Sequence, residues 1–564
     1  ASRSGRSRAD LAVRRICLEA MRRLVCGHSV LCALLLAGGE ANGSAGSALE
    51  ELADVESRIR RQQEVIGLQQ TRLAAIEAAR QGPLDGARRL QDEQPSVHGN
   101  WSAGARAYTD AENWSGALTH LWLLVCGALA MFMQVGAMLL EAGSVRAKGV
   151  HNVVMKHLTH SAVIALTWLF VGWALAFGGP YTIAADGMME KRQFVGIREF
   201  ATGGFYSEPS SGLIEPTDKM ARWFFHWAVS CVAAAVISGG TAERLNFVGY
   251  LLVIVLFAAV IYPVVAGSVW GKGWLVQVND VGAFDFAGSS VIHICGGVVG
   301  LAGAIVAGPR AGRWEAPQRF KPHSAPLVVC GTLVLWFGWY GLSCGLTGKM
   351  NGIADAMTAA QVAMNNTVAA AIGGVVAFVL NFLGSRCERY ELKSFCNGIL
   401  AGLVSISAGC ATVTVWASVA IGAVGGGFFV LTSVALRRLK VDDPIDAFAV
   451  HGMPGLWGSV AAVGFDWHMD SRLFHGPGGW ACIANADGCR SDAFVLALWA
   501  NFLMACFVAV WSLLWALLAL MPLKMFGFLD TDTSSEPPPQ ATVIELLAAA
   551  PSAPDQQQST LIAI

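Results

Sequence analysis

The stretch FDFAGSSVIHICGG, residues 284–297, combines the two signals that decide the fold of this chain. It contains an acid, Asp285, and continues as a run of small and apolar residues that hydropathy places inside a membrane. One histidine, His293, lies in the middle of that run. Ionisable side chains are costly in hydrocarbon, so an intramembrane histidine is a candidate functional residue.

The whole chain has the composition of a membrane protein. Of its 564 residues, 54% are hydrophobic and 14% are charged, whereas soluble globular proteins contain roughly 25% charged residues. Apolar runs long enough to cross about 30 Å of hydrocarbon recur along most of it. The predicted fold class is therefore an all-α polytopic membrane protein. The net charge of -1 gives no indication of nucleic acid as a partner.

Hydropathy predicts eleven transmembrane helices, which would place the two termini on opposite faces. The tenth is the least apolar because His451, Pro454 and two glycines interrupt it. The predicted spans lie near residues 120–142, 155–177, 222–240, 247–269, 287–308, 326–346, 364–384, 395–412, 415–436, 448–466 and 493–521.

Basic residues orient these spans, because cytoplasmic loops carry an excess of lysine and arginine. One set of alternate loops is rich in them, and the short loops of the other set hold only Lys272, Lys349, Arg472 and Arg490. The N-terminus is therefore predicted to be outside and the C-terminus inside. The basic set is Arg146, Lys148, Arg310, Arg313, Arg319, Lys321, Arg386, Arg389, Lys393, Arg437, Arg438 and Lys440.

The segment before the spans has two predicted parts. Residues 1–46 form a basic leader in which Met21, a candidate start, opens a pattern typical of a secretory signal peptide. The Ser/Arg-rich text ahead of Met21 also fits an organelle transit sequence, although Asp10 and Glu19 count against that interpretation. Residues 47–118 form an extracellular extension, whose heptad over 49–80 fits a short coiled coil or a weakly ordered segment equally well.

Two glycosylation sequons and a cysteine pair are consistent with an extracellular location of the loops that contain them, and the C-terminal tail is predicted to be cytoplasmic. Asn100 and Asn113 begin glycosylation sequons just ahead of the first span. Cys482 and Cys489 lie in a polar, glycine-rich loop where a disulfide is predicted if the loop is extracellular. The membrane domain is predicted over residues 119–525, followed by a short disordered cytoplasmic tail over 526–564.

The acid and the histidine of the opening stretch recur. Asp285 precedes His293 by eight residues, and Asp443 precedes His451 by eight residues. They open the fifth span of each of two five-span halves, and halves with an odd number of spans must be inverted relative to each other. In such folds the substrate path lies between the repeats, which predicts that the two histidines meet there.

Two other interpretations of the histidines remain open. Each could simply hydrogen-bond a neighbouring helix, a contact worth only about 1 kcal/mol. Two imidazoles without a nearby Cys, Asp or Glu ligand make a poor zinc site, so no metal and no cofactor are predicted.

The two aspartates stand about two helical turns before the histidines, where orienting helix termini is the more natural role.

Several longer strings resemble the Amt branch of the Amt/Mep/Rh ammonium transporter family. They are MFMQVGAMLLEAGSVRAK (131–148), SGGTAERLNF (238–247), FDFAGSSVIH (284–293), LWFGWYG (335–341), NGILAGLVSISAGCA (397–411) and DDPIDAFAVHG (442–452). The resemblance implies eleven spans, a five-plus-five inverted repeat with a final helix, an outer N-terminus, homotrimers in the lipid bilayer, and one ammonium/ammonia pore per subunit.

The same resemblance assigns roles to individual residues. His293 and His451 correspond to the paired pore histidines, and Asp285 to the acid below the outer vestibule. Trp270 and Phe225 correspond to aromatic residues of the outer recruitment site. The chain departs from the family pattern nearby, because aliphatic residues stand at a gate phenylalanine (Val229), at a second phenylalanine (Leu342) and at a serine (Leu346).

The resulting hypothesis is an ammonium transporter, most naturally of the plasma membrane, and it has two competitors. The altered mouth residues favour an ammonium sensor that conducts weakly. A channel for another small solute such as carbon dioxide is a further alternative. No nucleophile–base pair or cofactor motif indicates an enzyme.

Overall fold

The chain is overwhelmingly helical, as the hydropathy pattern predicts. The computed structural model describes residues 110–183, 189–190, 194–205, 218–387, 390–466, 493–527 and 529. Within these ranges the only strands are an antiparallel pair of two residues each, Thr182–Ile183 (β1) and Met189–Glu190 (β2). Nine helical segments of the described chain are long and apolar enough to cross a membrane. The predicted class of a helical membrane protein is confirmed.

The long helices follow one another with short connections. Three contain short π-helical segments, at Trp168–Gly172, Phe257–Ile261 and Ser289–Ile294. The helices are α1 (Asp110–Ser144), α2 (Ala147–Phe177), α3 (Lys219–Gly240), α4 (Phe247–Leu256 continued by Phe257–Ile261 and Tyr262–Val269), α5 (Ser289–Ala307), α6 (Ala325–Gly345), α7 (Ile353–Gly384), α8 (Leu392–Ile406), α9 (Val415–Arg438), α10 (Ala447–Gly464) and α11 (Ala493–Met525).

The helices depart from the predicted spans mainly at their ends. Helix α1 begins at Asp110, before the membrane domain predicted from residue 119, because a helix continues into polar sequence that hydropathy does not count. Asn113 therefore lies in the first turn of α1, directly ahead of its apolar segment Trp114–Ser144. Helix α7 begins at Ile353, well before residue 364, and Asp355 accepts a hydrogen bond from the Asn351 N–H at its start.

Helix α8 ends earlier than predicted, at Ile406 instead of residue 412. The carbonyls of Ser407 and Ala408 accept hydrogen bonds from the backbone of Ala287 and Phe286 (2.9 and 3.0 Å). The residues after Ile406 form turns, and their carbonyls serve the stretch that leads into α5. Such irregular backbone is tolerated at membrane depth where it is buried in protein.

Four polar turns meet on one face of the helix bundle. Arg310 Nε lies 2.8 Å from Asp442, and Arg310 also contacts Glu243. Arg146 Nε lies 2.9 Å from the same Glu243. Burial alone raises the pKa of Asp442, but the hydrogen bonds and charge of Arg310 lower it to about 2. The turns α1–α2, α3–α4, α5–α6 and α9–α10 are thus joined by ion pairs that persist at physiological pH.

Other predicted features lie outside the described residues. These are the leader over 1–46, the extension as far as residue 109, Asn100, the pair Cys482 and Cys489, and nearly all of the tail.

Glycines allow α7, α8 and α9 to pack with their backbones in contact. A Cβ atom at Gly373 would lie 2.6 Å from the Gly398 carbonyl oxygen, and one at Gly426 would lie 2.5 Å from the Gly373 carbonyl oxygen. The next residue, Gly427, faces open space, because a Cβ atom there would meet nothing within 4 Å. Small residues at such crossings are what membrane helices use to approach closely.

We expect Gly426→Ala to destabilise the protein by about 1–3 kcal/mol, because the added methyl group overpacks a backbone contact. Gly427→Ala is the matched control on the same helix and should be neutral or stabilising by up to about 1 kcal/mol. Thermal unfolding of the purified protein in detergent measures both. Equal effects of the two substitutions would contradict the close crossing.

Candidate functional site

Asp285 organises the start of helix α5. Its Oδ1 accepts hydrogen bonds from the N–H groups of Gly288 (2.8 Å) and Ser289 (3.0 Å). Its Oδ2 accepts from Ser290 (2.7 Å) and Val291 (3.0 Å). These are the backbone donors that a helix start leaves without partners. Gly288 has a φ of +99°, which glycine adopts without strain. One buried carboxylate therefore fixes the first turn of α5.

Two further side chains hold the same stretch from outside. Trp270 Nε1 donates to the Asp285 carbonyl oxygen at 2.7 Å. Asn501 on α11 accepts from the Phe284 N–H at 2.8 Å and donates to the Phe284 carbonyl at 3.0 Å. The backbone of the opening stretch is thus anchored to helices that are distant in sequence.

The two predicted histidines meet in the interior. His293 Nδ1 and His451 Nδ1 are 3.1 Å apart, and the ring centroids are 5.0 Å apart with planes inclined at 24°. His293 is fully buried and also stacks on Trp339, with 5.1 Å between ring centroids. His293 Nε2 has no hydrogen-bond partner among the described residues.

The hydrogen bond between the histidines constrains their protons. In a neutral imidazole one nitrogen donates and the other accepts. If both rings are neutral, one Nδ1 carries the shared proton and its partner Nδ1 accepts it. The donating ring then has an accepting Nε2, and the other ring has a donating Nε2. The pair consequently offers one acceptor and one donor at its two ends.

Glycines bring α5 and α10 close enough for this contact. A Cβ atom at Gly297 would lie 3.0 Å from the Gly452 nitrogen, and one at Gly455 would lie 2.6 Å from the Ser289 carbonyl oxygen. Ser290 Oγ and Ser459 Oγ are 2.5 Å apart across the same crossing. The glycines that follow each histidine in sequence thus form the crossing that lets the rings touch.

A small cavity of about 50 Å³ adjoins the histidine pair on one side. Its wall is mostly apolar, with Gln134 and Glu141 of α1 as polar exceptions beside the two imidazoles. The lining residues are Met133, Gln134, Ala137, Leu140, Glu141, Val232, Ala235, Val236, His293, Leu335, Trp339, Leu400, Ile445, Ala447 and His451.

A wider vestibule of about 330 Å³ contains four of the residues singled out from sequence: Phe225, Trp270, Asp285 and Leu346. Its wall also includes His226, whose ring centroid is 5.9 Å from that of Trp270. The full lining is Leu123, Arg222, Phe225, His226, Val269, Trp270, Lys272, Val276, Ala283, Phe284, Asp285, Phe286, Gly345, Leu346, Thr347 and Gly348.

Val229 and Leu342 line neither space, and both are fully buried. On α3, Phe225 lines the vestibule, Val229 follows one turn later, and Val232 lines the inner cavity. On α6 the same order occurs in reverse, from Trp339 in the cavity through Leu342 to Leu346 in the vestibule. These two aliphatic side chains therefore occupy the closed layer between vestibule and cavity.

Asp443 stands before α10 as Asp285 stands before α5, but it caps less completely. Its two oxygens accept from the N–H groups of Ala447 and Phe448, both at 2.8 Å. Burial and the charge of Asp446 raise the pKa of Asp443 to about 6, although these two hydrogen bonds pull it down. The carboxyl group that caps the helix carrying His451 therefore accepts hydrogen bonds from two backbone N–H groups, whereas that of Asp285 accepts from four.

Sequence reasoning missed several residues of this region. Trp339 lies in the string LWFGWYG and Glu141 in the α1 string, yet neither was assigned a role, and the same holds for Gln134. The signal for Glu141 was available, since it is an acid inside a span. Arg222 and Lys272 at the vestibule were missed because basic residues at a span end are common.

Among the described residues, no group of three His, Cys, Asp or Glu side chains is arranged to hold a metal.

Comparisons with known proteins agree with this architecture. Relatives include ammonium transporter Amt2 of Archaeoglobus fulgidus, which is 36% identical over 365 residues, covering 63% of this chain and 73% of the relative. Ammonium transporter 1 member 3 of Solanum lycopersicum is 32% identical, covering 62% of this chain and 75% of the relative.

Solved structures are similar as well. One titled Sensor Amt Protein has a TM-score of 0.63 and 27% identity, and the match covers 74% of this chain and 96% of that chain. Mep2 of Saccharomyces cerevisiae has a TM-score of 0.61 and 25% identity, covering 77% and 97%. The family model described as Ammonium Transporter Family matches residues 121–541, which runs past the end of α11 at Met525. The chain belongs to the Ammonium Transporter Family.

Proposed function

We propose that this protein moves ammonium across a membrane through a pore within each subunit, with ammonia passing the paired histidines His293 and His451. The observation that carries the proposal is the histidine pair at the α5–α10 crossing, 3.1 Å apart between Nδ1 atoms, with a cavity beside it. An aromatic vestibule lies beyond the closed layer. Family membership supports ammonium as the substrate.

The vestibule is the proposed recruitment site. A bare cation is poorly tolerated in hydrocarbon, and the face of a tryptophan replaces part of its water shell through a cation–π contact. Trp270 supplies that face, with Phe225 beside it. Arg222 is paired with Asp218 at 2.7 Å, and Lys272 adds a positive charge. The charge of Arg222 is offset by Asp218, but that of Lys272 opposes cation capture, so we infer modest affinity at this mouth.

Below the vestibule, Val229 and Leu342 form the proposed gate. Aliphatic side chains exclude water but offer no π face to a cation. Ammonium must therefore lose its proton before or at this layer, because the uncharged molecule crosses an apolar constriction at far lower cost. The histidine pair beyond the gate then presents one donor and one acceptor, which suits ammonia as both a hydrogen-bond acceptor and donor.

The topology proposed with this function has eleven transmembrane helices in a five-plus-five inverted repeat with a final helix. The turns joined by Arg310, Asp442 and Glu243 form the cytoplasmic face, in keeping with their positive charge. The N-terminus is then outside and the C-terminus inside. We infer a homotrimer in the plasma membrane, reached through the secretory pathway, with glycosylation at Asn100 and Asn113 and a Cys482–Cys489 disulfide.

A second candidate function is ammonium sensing with weak conduction. The aliphatic gate, the loss of a hydroxyl at Leu346 and the basic groups of the vestibule favour it. So does the similarity to the structure titled Sensor Amt Protein. The intact histidine pair favours conduction, which is why transport is the leading proposal.

Uptake separates the two functions. The full chain is expressed in cells that lack their own ammonium uptake, and surface delivery is verified by labelling. We expect growth on low ammonium and measurable methylammonium uptake. Correct surface delivery without either would contradict transport and favour sensing.

His293→Ala should reduce uptake by about tenfold or more, or change selectivity between ammonium and methylammonium, because it removes one half of the donor–acceptor pair. His151→Ala is the matched control, since His151 is exposed at the start of α2. Initial uptake rates measure both. An unchanged rate and selectivity in His293→Ala would reduce this residue to a packing role.

Trp270→Ala should weaken ammonium capture at the vestibule. Loss of a desolvated cation–π contact of about 2 kcal/mol corresponds to a roughly 30-fold higher apparent KM. Trp270→Phe keeps an aromatic face but loses the hydrogen bond to the Asp285 carbonyl, so its KM should lie between the two. A concentration series of uptake gives these values. Identical KM values in all three proteins would exclude recruitment by Trp270.

A further inference from the structure

A second group of polar side chains lies inside the membrane region, next to the inner cavity but outside the histidine pair. It joins α1, α2 and α4, and we call it the side cluster. Its members are Gln134, Glu141, Lys156, His157, His160 and Tyr250. All six are at least nine-tenths buried. Burying ionisable groups in the membrane region costs free energy, which indicates that they have a role beyond packing.

We propose that the Glu141–His157 pair is an internal proton-transfer site, which takes up a proton from water in the inner cavity and returns it to ammonia leaving that cavity. The inference rests on the proposed transport function and assigns a role to residues that the histidine pair does not need. Glu141 is the residue through which the side cluster faces the cavity as a charge.

Both ring nitrogens of His160 have hydrogen-bond partners. The Gln134 Oε1 atom can only accept, so His160 Nε2 donates to it at 2.8 Å. His160 Nδ1, 2.8 Å from the Tyr250 hydroxyl, is then the acceptor if the ring is neutral. Through its Nε2, His160 holds the side-chain amide of Gln134, which lines the cavity.

Around the Glu141–His157 pair, some hydrogen-bonding atoms have no partner among the described residues. His157 Nε2 donates to Glu141 Oε2 at 2.9 Å, and Ser238 Oγ donates to Glu141 Oε1 at 3.0 Å. His157 Nδ1 and Gln134 Nε2 have no hydrogen-bond partner among the described residues. The pair therefore retains a nitrogen, His157 Nδ1, with no partner among the described residues, beside the carboxylate that carries the mobile proton.

Charge balance also favours a single mobile proton. Lys156 Nζ lies over the Tyr250 ring, 5.0 Å from its centroid, and its positive charge offsets the carboxylate of Glu141. The side cluster is then neutral, and one added proton makes it singly positive. The other titratable or charged groups that face it are Cys231 of α3 and Arg244 of the α3–α4 turn, whose guanidinium donates to backbone carbonyls.

The inner cavity provides a path between the two sets of histidines. Gln134 and Glu141 are seven residues apart on the same face of α1, which separates them by about 10 Å along the helix. A volume of about 50 Å³ holds about three to five waters at 10–15 Å³ each. A short water chain in this space is the connection that we propose between the two imidazoles and Glu141.

The proton balance is simple. A hydronium in the cavity gives its proton to the Glu141 carboxylate, leaving water and a neutral carboxyl group hydrogen-bonded to His157. Ammonia leaving the cavity then takes that proton and departs as ammonium, which restores the carboxylate. No other reactant is needed. A net current requires, in addition, that the proton released when ammonium is split at the vestibule crosses the closed layer and reaches this cavity.

The test uses the full chain reconstituted in liposomes on a solid-supported membrane. Currents after an ammonium jump report charge movement, and a pH dye in the lumen reports entry of neutral ammonia. We expect Glu141→Gln to reduce the current by about tenfold or more while lumenal alkalinisation persists. His151→Ala is the control, because it removes an exposed imidazole of α2 outside the side cluster, and it should retain the current.

Infrared spectra separate failure of this inference from failure of the proposed function. The carboxylic-acid stretching band is titrated with pH in wild type and in Glu141→Gln. A band that appears in wild type on acidification and is missing in Glu141→Gln supports the proton site even if the chain conducts nothing. Identical titrations, or an unchanged current in Glu141→Gln when the wild type does conduct, overturn it.

Discussion

The arrangement of the histidine pair depends on one buried carboxylate, that of Asp285. It accepts hydrogen bonds from four successive backbone N–H groups and thereby allows α5 to begin inside the protein, where water is not available to satisfy them. The turn that it stabilises carries His293 to the crossing with α10. Helix α8 ends just before Ser407 and Ala408, whose carbonyls accept hydrogen bonds from the backbone of the same stretch. A helix start that lacked this acceptor would leave orphan donors at membrane depth.

Asp443 caps the start of α10 as Asp285 caps the start of α5, but with fewer hydrogen bonds. Asp443 accepts only two backbone N–H groups before α10, and it stands among ion pairs on the polar face instead of beneath an aromatic vestibule. In the proposed inverted repeat, the equivalent histidines are in contact while the two ends of the proposed path have unlike surroundings. One end has an aromatic wall with basic groups, and the other has interlocked arginines and aspartates.

Polar groups inside the membrane region fall into three environments. The histidine pair has an apolar surround, Asp285 is saturated by backbone donors, and the side cluster of α1, α2 and α4 combines a carboxylate, an ammonium and two imidazoles. Each solution lowers the cost of placing ionisable groups in a low-dielectric interior, by stacking, by hydrogen bonds to the backbone or by mutual neutralisation. The side cluster keeps polar atoms without partners next to a cavity and also holds a carboxylate that faces it, which is why it carries the inference about proton transfer.

The sequence by itself determined the class of the fold, the order of the helices and the candidacy of His293 and His451, because hydropathy, charge asymmetry and the repeated Asp–His spacing are local properties of the chain. It could not fix the ends of α1, α7 and α8, since these depend on polar flanks and on carbonyls recruited by a distant stretch. It also overlooked Trp339, Glu141 and the basic groups of the vestibule. The roles of Trp339 and of the basic groups depend on neighbours on other helices, whereas Glu141 could have been noticed as an acid inside a span. The 3.1 Å approach of the imidazoles, likewise, was decided by glycines that let two helix backbones touch.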